Sequence, residues 1–242
     1  EERGLLMANL SHDLRTPITA IKGYVEGIQD GIANTPEKQR HYLEIVYNKS
    51  VILERLVRNM SDFSEYELGR MQYHFEYVEM GPFLRDLAEE YQVDVQQNGM
   101  TFTAQIPQGH YVVTADRSKL KLKRVLDNLV SNAIKYGRAG GAIALTAEEY
   151  ERGLVIQVSD NGKGISAQAL RHVFDSFFRE DSARTSSVPG SGLGLAICRS
   201  IVDSHHGKIW LTSEEGEGTR AFLYLPLQKL SLIHISEPTR PY

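Results

Sequence analysis

Residues 9–19 read Asn-Leu-Ser-His-Asp-Leu-Arg-Thr-Pro-Ile-Thr, NLSHDLRTPIT, and set one histidine, His12, in a helical pattern with an acid directly after it and a proline one turn later. At about 100° per residue, Leu10, Leu14, Ile18, Ile21, Val25 and Ile28 fall on the side of the helix opposite His12. The apolar seam is narrow and the histidine faces away from it, with Thr16, Thr19 and Gly23 on its own side. A core histidine is therefore disfavoured, while an ordinary surface histidine remains open on this ground alone. Gly31 and Asn34 break the pattern, and Thr35-Pro36-Glu37 reads as an N-cap with proline at the first position of a second helix. In that second arm Val46, Leu53 and Met60, and Tyr42, Leu56 and Phe63, recur at heptad spacing, with Lys49 the polar exception. Two such helices cannot bury their seams alone, so the expected completion is a dimeric four-helix bundle.

The rest of the chain is ordinary in composition. With 242 residues, 41% hydrophobic and 24% charged, it has room for two modest domains and is neither disordered nor collagen-like. A formal charge of −4 without a dense Lys/Arg block argues against nucleic acid as the main partner. The short basic run Lys119 to Arg124 reads as a solvated helix face. Cys198 is the one cysteine, which excludes an intramolecular disulfide and a cysteine-rich metal site and suits a reducing compartment; its apolar neighbours place it on a buried helix position. The residues contain no apolar run of about 18 and no charged-then-apolar leader. Because Glu1 stands in mid-pattern, a piece of a longer protein is expected.

Around Glu65 to Tyr73 the periodicity changes. Beyond it, Leu84 to Gln97, Leu120 to Tyr136 and Ala196 to Ser204 read as helices. Thr101 to Ile106, Ala142 to Ala147, Leu154 to Ser159, Lys208 to Ser213 and Thr219 to Leu225 read as strands. The expected class is α+β, a layer of helices on a mixed sheet.

Four clusters in this half carry polar chemistry. Asn128 and Asn132 stand at i and i+4 on one helix face, with Lys135 and Tyr136 a turn further on; their amide oxygens suit Mg²⁺ shared with phosphate, or else only helix polarity and an end at Gly137. Asp160-Asn-Gly-Lys-Gly164, followed by Ile165, closes a strand; the acid can accept from an exocyclic amine and the glycines let a flat ring approach, unless this is a simple Asn-Gly turn. Phe174-Asp-Ser-Phe-Phe178-Arg179 offers aromatics under a loop or a cation for a phosphate. Gly190-Ser-Gly192-Leu-Gly194-Leu195 leads into a helix, where backbone N–H groups and the helix dipole favour an anion.

Taken in order with the opening stretch, these clusters closely resemble the catalytic core of sensor histidine kinases: the phosphoacceptor H box, then the N, G1, F and G2 boxes of a GHKL-type ATP-binding domain. The resemblance runs from about Glu1 to Leu227. It implies a dimerisation and phosphotransfer hairpin at residues 1–66, a linker and hinge at 67–75 and an ATP-binding α/β sandwich at 76–228. By the same resemblance His12 receives the γ-phosphoryl group of ATP, Asp13 orients or deprotonates the ring, and Pro17 loosens the helix beside it. Thr16 implies a second, phosphatase activity by positioning a water. Asn128 and Asn132 map to Mg²⁺ and phosphate, Lys135 and Tyr136 to the nucleotide edge, and Asp160 to the adenine amine with Thr219 beside it. Gly162, Gly164, Ile165, Arg179, Gly192, Leu193, Gly194 and Leu195 line the rest, and Asp175 to Pro189 is the ATP lid. The implied partners are a second copy through the hairpin and a response regulator receiver domain, with no nucleic acid. Membrane attachment would come only through an upstream segment, which makes this the cytoplasmic part of an inner-membrane bacterial sensor.

Two features depart from the pattern. Lys119-Leu120 is followed at once by Lys121-Leu122, two residues more than usual between Asp116 and Asn128. Two added helical residues turn what precedes them by about 200°, and the expectation is that the helix start and its loop absorb this. The tail from Leu230 to Arg240 resembles one reading frame of a sequencing-library adapter, so residues 229–242 are set apart from the fold reading; a natural final strand over Leu232 to Ile235 is the alternative. Two other functions share part of the pattern. A GHKL ATPase without histidine transfer leaves the His12 hairpin unexplained, and a dimerising scaffold that binds nucleotide poorly is kept open by the extra Lys-Leu pair.

Overall fold

The computed structural model describes residues 2–67, 72–116, 120–180 and 192–228. The expected tail at 229–242, and most of the expected lid, lie outside these residues. The described residues form two compact units: one of residues 2–67, 72, 164–180, 192–201 and 213–216, the other of 73–116, 120–163, 202–212 and 217–228.

The first unit opens with two helices, α1 (Glu2–Gln29) and α2 (Pro36–Glu67). Between them the chain turns at Gly31, with φ +73°, and Ala33 donates its N–H to the Gly27 carbonyl at 3.1 Å and is fully buried. Thr35 caps α2 as expected, its Oγ1 accepting the Lys38 N–H at 3.3 Å. Near the turn the helices meet edge to face through Tyr24 and Tyr42, ring centroids 4.9 Å apart at 85°. Gly27 makes this contact possible, since a Cβ there would stand 2.9 Å from Tyr42 Cε2. α1 continues through Pro17, which is buried. The seam itself stays open: Ile18 is 49% exposed and Val25 36%, and with Ile21 and Leu53 they floor a groove along the hairpin.

The second unit holds most of two sheets. β1 (Phe75–Glu79) pairs antiparallel with β3 (Val112–Asp116), from Phe75 opposite Asp116 to Glu79 opposite Val112. Five strands form the larger sheet in the order β2-β4-β5-β7-β6: β2 (Thr101–Gln105), β4 (Ala142–Tyr150), β5 (Gly153–Asp160), β7 (Gly218–Pro226) and β6 (Lys208–Glu214). β2 runs parallel to β4, while β4-β5 and β5-β7 are antiparallel, so the sheet is mixed as expected. The small β1-β3 sheet is not among the expected strands. β1 alternates no apolar face, with Phe75, Glu76 and Tyr77 all exposed, and β3 is a short run covered on both faces.

Helix α3 (Met80–Gln97) starts four residues before the expected Leu84, because Pro82 falls in the first turn, where its missing N–H is no loss. Helix α4 (Leu120–Tyr136) buries Leu122, Val125, Leu126, Leu129, Val130 and Ala133 in one unbroken stripe. The helix therefore keeps a single phase after the extra Lys-Leu pair, while residues 117–119 lie outside the described chain. Between α3 and α4, Tyr91 Oη donates to Asp127 Oδ1 at 2.7 Å, and Lys123 Nζ reaches Glu90 at 2.6 Å and Asp127 at 3.2 Å. Burial, then the Asp127 carboxylate, push the Tyr91 phenol far above its ordinary range, so it stays a donor. Lys123 is thus engaged between helices, which corrects the reading of Lys119 to Arg124 as a wholly solvated face. On the sheet, Ile143, Leu145, Leu154, Ile156, Leu223 and Leu225 complete this unit's core.

The described residues also form α5 (Ala167–Leu170), N-capped by Ser166, and α6 (Gly194–Ser204), which buries Cys198 as expected. No helix of the described residues is long and apolar enough to cross a membrane. Leu126→Ala, at a fully buried site, is expected to lower unfolding free energy by about 2–5 kcal/mol. Val93→Ala, on the exposed side of α3, should change it by less than about 0.5 kcal/mol, and urea titration of both variants checks the pair.

Candidate functional site

In the unit of residues 73–163, 202–212 and 217–228 the candidate residues gather where β5 ends. Asp160 is the last residue of β5 and stands opposite Thr219 on β7. Its carboxylate accepts backbone N–H groups from Gly162, at 2.8 Å, and from Thr219. Burial raises the Asp160 pKa and the two N–H groups lower it; burial wins, so the carboxyl lies above its ordinary value.

The turn after Asp160 is seated from three sides. Asn161 exchanges bonds with Ala142 at the start of β4, its Oδ1 accepting the Ala142 N–H at 2.9 Å and its own N–H donating to the Ala142 carbonyl at 3.3 Å. Lys163 donates its N–H to the Tyr136 carbonyl at 3.2 Å, at the end of α4. Arg138 donates from Nε (3.3 Å) and Nη2 (3.2 Å) to the Gly162 carbonyl. At Gly162 a Cβ would stand 2.7 Å from Asp160 Oδ1 and 3.0 Å from the Gly137 Cα. The glycine is thus required by the chain's own backbone, whether or not a ring approaches it.

On α4, Asn128 and Asn132 lie one turn apart and are half-buried, to one side of the buried stripe. Lys135 Nζ and Lys163 Nζ each stand 4.8 Å from the centroid of the Tyr136 ring. The structure therefore brings Asp160, Gly162, Thr219, Lys135 and Tyr136 together. Sequence reasoning missed the supports Arg138, Asn161 and Lys163; the signal available was their polarity directly after the helix and inside the turn.

The other unit carries the remaining candidates. Gly164, at φ +70°, abuts the backbone of Glu214, and the Ile165 N–H donates to Ser213 Oγ at 2.9 Å. Ser166 Oγ donates to Glu180 Oε1 at 2.7 Å. Phe177 adopts φ +66°, costly for a bulky residue, and is held there because its N–H donates to the Gly192 carbonyl at 2.9 Å. Gly192 answers with φ +67°, and a Cβ on it would stand 2.6 Å from the Phe177 carbonyl carbon. This clasp joins the two ends of the segment 181–191, which lies outside the described residues. The Arg199 guanidinium, on α6, lies over the Phe174 ring at 5.4 Å from its centroid. Arg179 is half-buried. Leu193 is fully buried, and Gly194 and Leu195 form the first turn of α6.

His12, Asp13 and Thr16 lie on α1 of this unit. Thr16 and Thr19 are exposed and Asp13 is half-buried. The expected outward orientation of the His12 side chain lies outside what is described.

The donor set fits the implied groups. A carboxylate acceptor suits an exocyclic amine, and two asparagine amide oxygens at i and i+4 suit a hard cation that takes its other oxygens from phosphate and water. Among the described residues no group of three His, Cys, Asp or Glu could hold a metal by itself.

Comparison with known proteins gives two domain matches. The family described as histidine kinase-, DNA gyrase B- and HSP90-like ATPase matches residues 117–229, and the His Kinase A (phospho-acceptor) domain matches residues 2–69. Sensor histidine kinase WalK of Bacillus subtilis is 33% identical over 231 residues, covering 95% of this chain and 37% of that protein. Sensor protein kinase WalK of Staphylococcus aureus is 32% identical over 230 residues, covering 94% of this chain and 54% of that one. The chain thus spans between about a third and about half the length of these relatives. Among solved structures, the Acinetobacter baumannii histidine kinase AdeS shares the fold at TM-score 0.69 and 22% identity, covering 89% of this chain and 98% of that one. Histidine kinase ThkA, solved in complex with response regulator protein TrrA, aligns at TM-score 0.71 and 25% identity, covering 93% of this chain and 62% of that one.

The raised pKa of Asp160 sets a pH dependence. The folded state keeps this proton above the ordinary value of 3.8, so the group's contribution to stability is full below that value and is lost as pH rises through the raised one. Asp160→Asn, whose amide oxygen can still accept from Gly162, removes the buried charge. Its stability relative to wild type should rise as pH goes from below 3.8 toward neutrality; urea unfolding at several pH values checks this, and a variant that loses ground over that range contradicts it.

Proposed function

We propose, from the premise that this chain belongs to the sensor histidine kinases, that it phosphorylates itself on His12 with ATP and passes the phosphoryl group to an aspartate of a response regulator. The observation that carries this reading is the Asp160 turn: a partly buried carboxylate, fixed by two backbone N–H groups at a strand end, beside a helix that bears Asn128 and Asn132.

In this reading Asp160 accepts a hydrogen bond from the adenine amine, with Thr219 next to it and Tyr136 at the nucleotide edge. Lys135 shares that edge, and Arg179 and the backbone amides of Gly192 to Leu195 at the start of α6 are assigned to phosphate, with Gly162, Gly164 and Ile165 lining the rest. Asn128 and Asn132 would hold Mg²⁺, which would supply neutralisation of the phosphate charge. Phosphoryl transfer demands positioning and charge neutralisation more than covalent help. The attacking imidazole nitrogen of His12 forms a bond to the γ-phosphorus as the bond to the β–γ bridging oxygen breaks and ADP leaves. Asp13 holds the N–H on the other side of the ring and makes the attacking nitrogen more basic. Thr16, exposed one turn after His12, orients a water for dephosphorylating the regulator in this reading.

The hairpin pairs with a second copy. Its exposed seam at Ile18 and Val25 and the exposed Leu43, Tyr47 and Val57 on α2 leave more apolar surface than a lone hairpin can keep in water. Residues 1–66 form the dimerising phosphotransfer hairpin, 67–75 the linker and 76–228 the ATP-binding domain. The chain is the cytoplasmic part of a sensor whose membrane attachment, in the inner membrane, lies upstream.

With γ-labelled ATP the protein should acquire acid-labile, base-stable label that is absent from His12→Gln while that variant still binds ATP. Label that survives in His12→Gln contradicts the assignment.

A further inference from the structure

Where the chain enters its second unit, a buried histidine outside the proposed ATP site gathers three elements. His205, directly after α6, is 2% exposed, and Asp116, the last residue of β3, is 4% exposed. The Asp116 N–H donates to His205 Nε2 at 3.1 Å. Asp116 Oδ2 in turn accepts the His74 N–H at 3.1 Å, just before β1. Tyr73 and Phe75 stack on each other at 5.5 Å and 13°, and both set their rings nearly perpendicular to the imidazole, with centroids 5.7 and 5.2 Å away. Lys121 Nζ lies 5.8 Å from the centre of the Tyr73 ring. After Ser204 the chain makes a tight turn that fixes the backbone of His205: the His205 and Gly207 N–H groups both donate to the Val202 carbonyl at 3.0 Å, and His206 takes φ +56°.

The hydrogen bond determines the ring's state. A nitrogen that accepts a backbone N–H carries no proton, so His205 is a neutral imidazole protonated on Nδ1. Its position determines what it holds. Tyr73, His74 and Phe75 are the first described residues after α2 apart from Gln72, and the imidazole with the Asp116 carboxylate ties all three to the unit that carries Asp160.

We propose that His205 is a positioning residue for phosphoryl transfer, latching Tyr73 to Phe75 onto the ATP-binding domain so that the tether between this domain and His12 is kept short. The proposal rests on the kinase reading above. Freed from the latch, the linker residues Tyr73 and His74 are no longer pinned to this domain and the free tether lengthens, which lowers the effective concentration of bound nucleotide at His12 and loosens its approach. Nucleotide binding is untouched, because none of the latch residues belongs to the proposed ATP site. The predicted signature is a loss in kcat without a change in KM for ATP.

Three variants of the full chain test this by initial rates of self-labelling against ATP concentration. His205→Leu removes the acceptor, His205→Gln returns an oxygen acceptor, and Phe75→Leu trims a ring that is 46% exposed, so that folding is spared even if His205→Leu is unstable. His205→Leu and Phe75→Leu should lower kcat about twofold or more and leave KM for ATP unchanged, and His205→Gln should return kcat to the wild-type value. Imidazole ¹⁵N shifts of the wild type should show Nε2 unprotonated and Nδ1 protonated. A kcat unchanged in both disruptive variants, a parallel loss of kcat and ATP affinity without rescue by glutamine, or the opposite tautomer overturns the latch. A wild-type protein that binds ATP yet never labels removes the kinase reading and this role with it; a labelling wild type with unaffected variants removes the latch alone.

Discussion

The site depends on one constraint, the seating of the turn after Asp160. A carboxylate at a strand end is useful for recognition only if it is held still, kept partly from water and left with an acceptor to spare. The Gly162 and Thr219 N–H groups hold it, and burial raises its pKa. Each support comes from a different element: Thr219 from β7, the Tyr136 carbonyl from α4, and Ala142 from β4. Strand register and the end of α4 therefore have to be right together before Asp160 is placed. The same dependence explains Gly162, where a side chain would push the turn off the end of α4.

A second backbone clasp holds other candidate residues as firmly as the turn after Asp160 is held. Phe177 and Gly192 both take left-handed backbone and share a hydrogen bond, so the two ends of the segment between them stay together. Strain at a bulky residue persists only where its surroundings enforce it. Here the enforcing contact is the backbone of a glycine that heads the turn into α6. In the proposed function this fixes where the α6 amides begin, and so where phosphate can sit.

Much of this was legible in the sequence, for identifiable reasons. The hairpin shows because Leu14, Ile21 and Ile28 keep one phase and Thr35-Pro36 marks the restart. Four strands of the large sheet show because their burial alternates or runs apolar, and β2, mostly exposed, shows by its β-branched and aromatic Thr101-Phe102-Thr103. β1 and β3 do not show: Glu76 and Tyr77 face water where an apolar face was needed, and Val112 to Asp116 is too short a covered run to announce itself. Gly81-Pro82 looks like a break and is a helix start. At the site, residue types that are themselves the chemistry, such as Asp160 and the paired asparagines, could be read from spacing and resemblance. The supports could not, because Arg138 after a helix and Asn161 in a turn look like surface residues until the backbone groups they bond are known. His205 is the extreme case, since His205-His206-Gly207 reads only as a helix stop.

In the proposed function, Asp160 reads the amine of adenine. Calorimetric titration of the full chain with ATP and with GTP, in the presence of Mg²⁺, tests it most directly, because guanine presents a carbonyl where adenine presents the amine. ATP should bind at least about tenfold more tightly than GTP, a difference of about 1.4 kcal/mol or more, and Asp160→Asn should erase most of that preference. Equal affinities for ATP and GTP in the wild-type protein would contradict the claim.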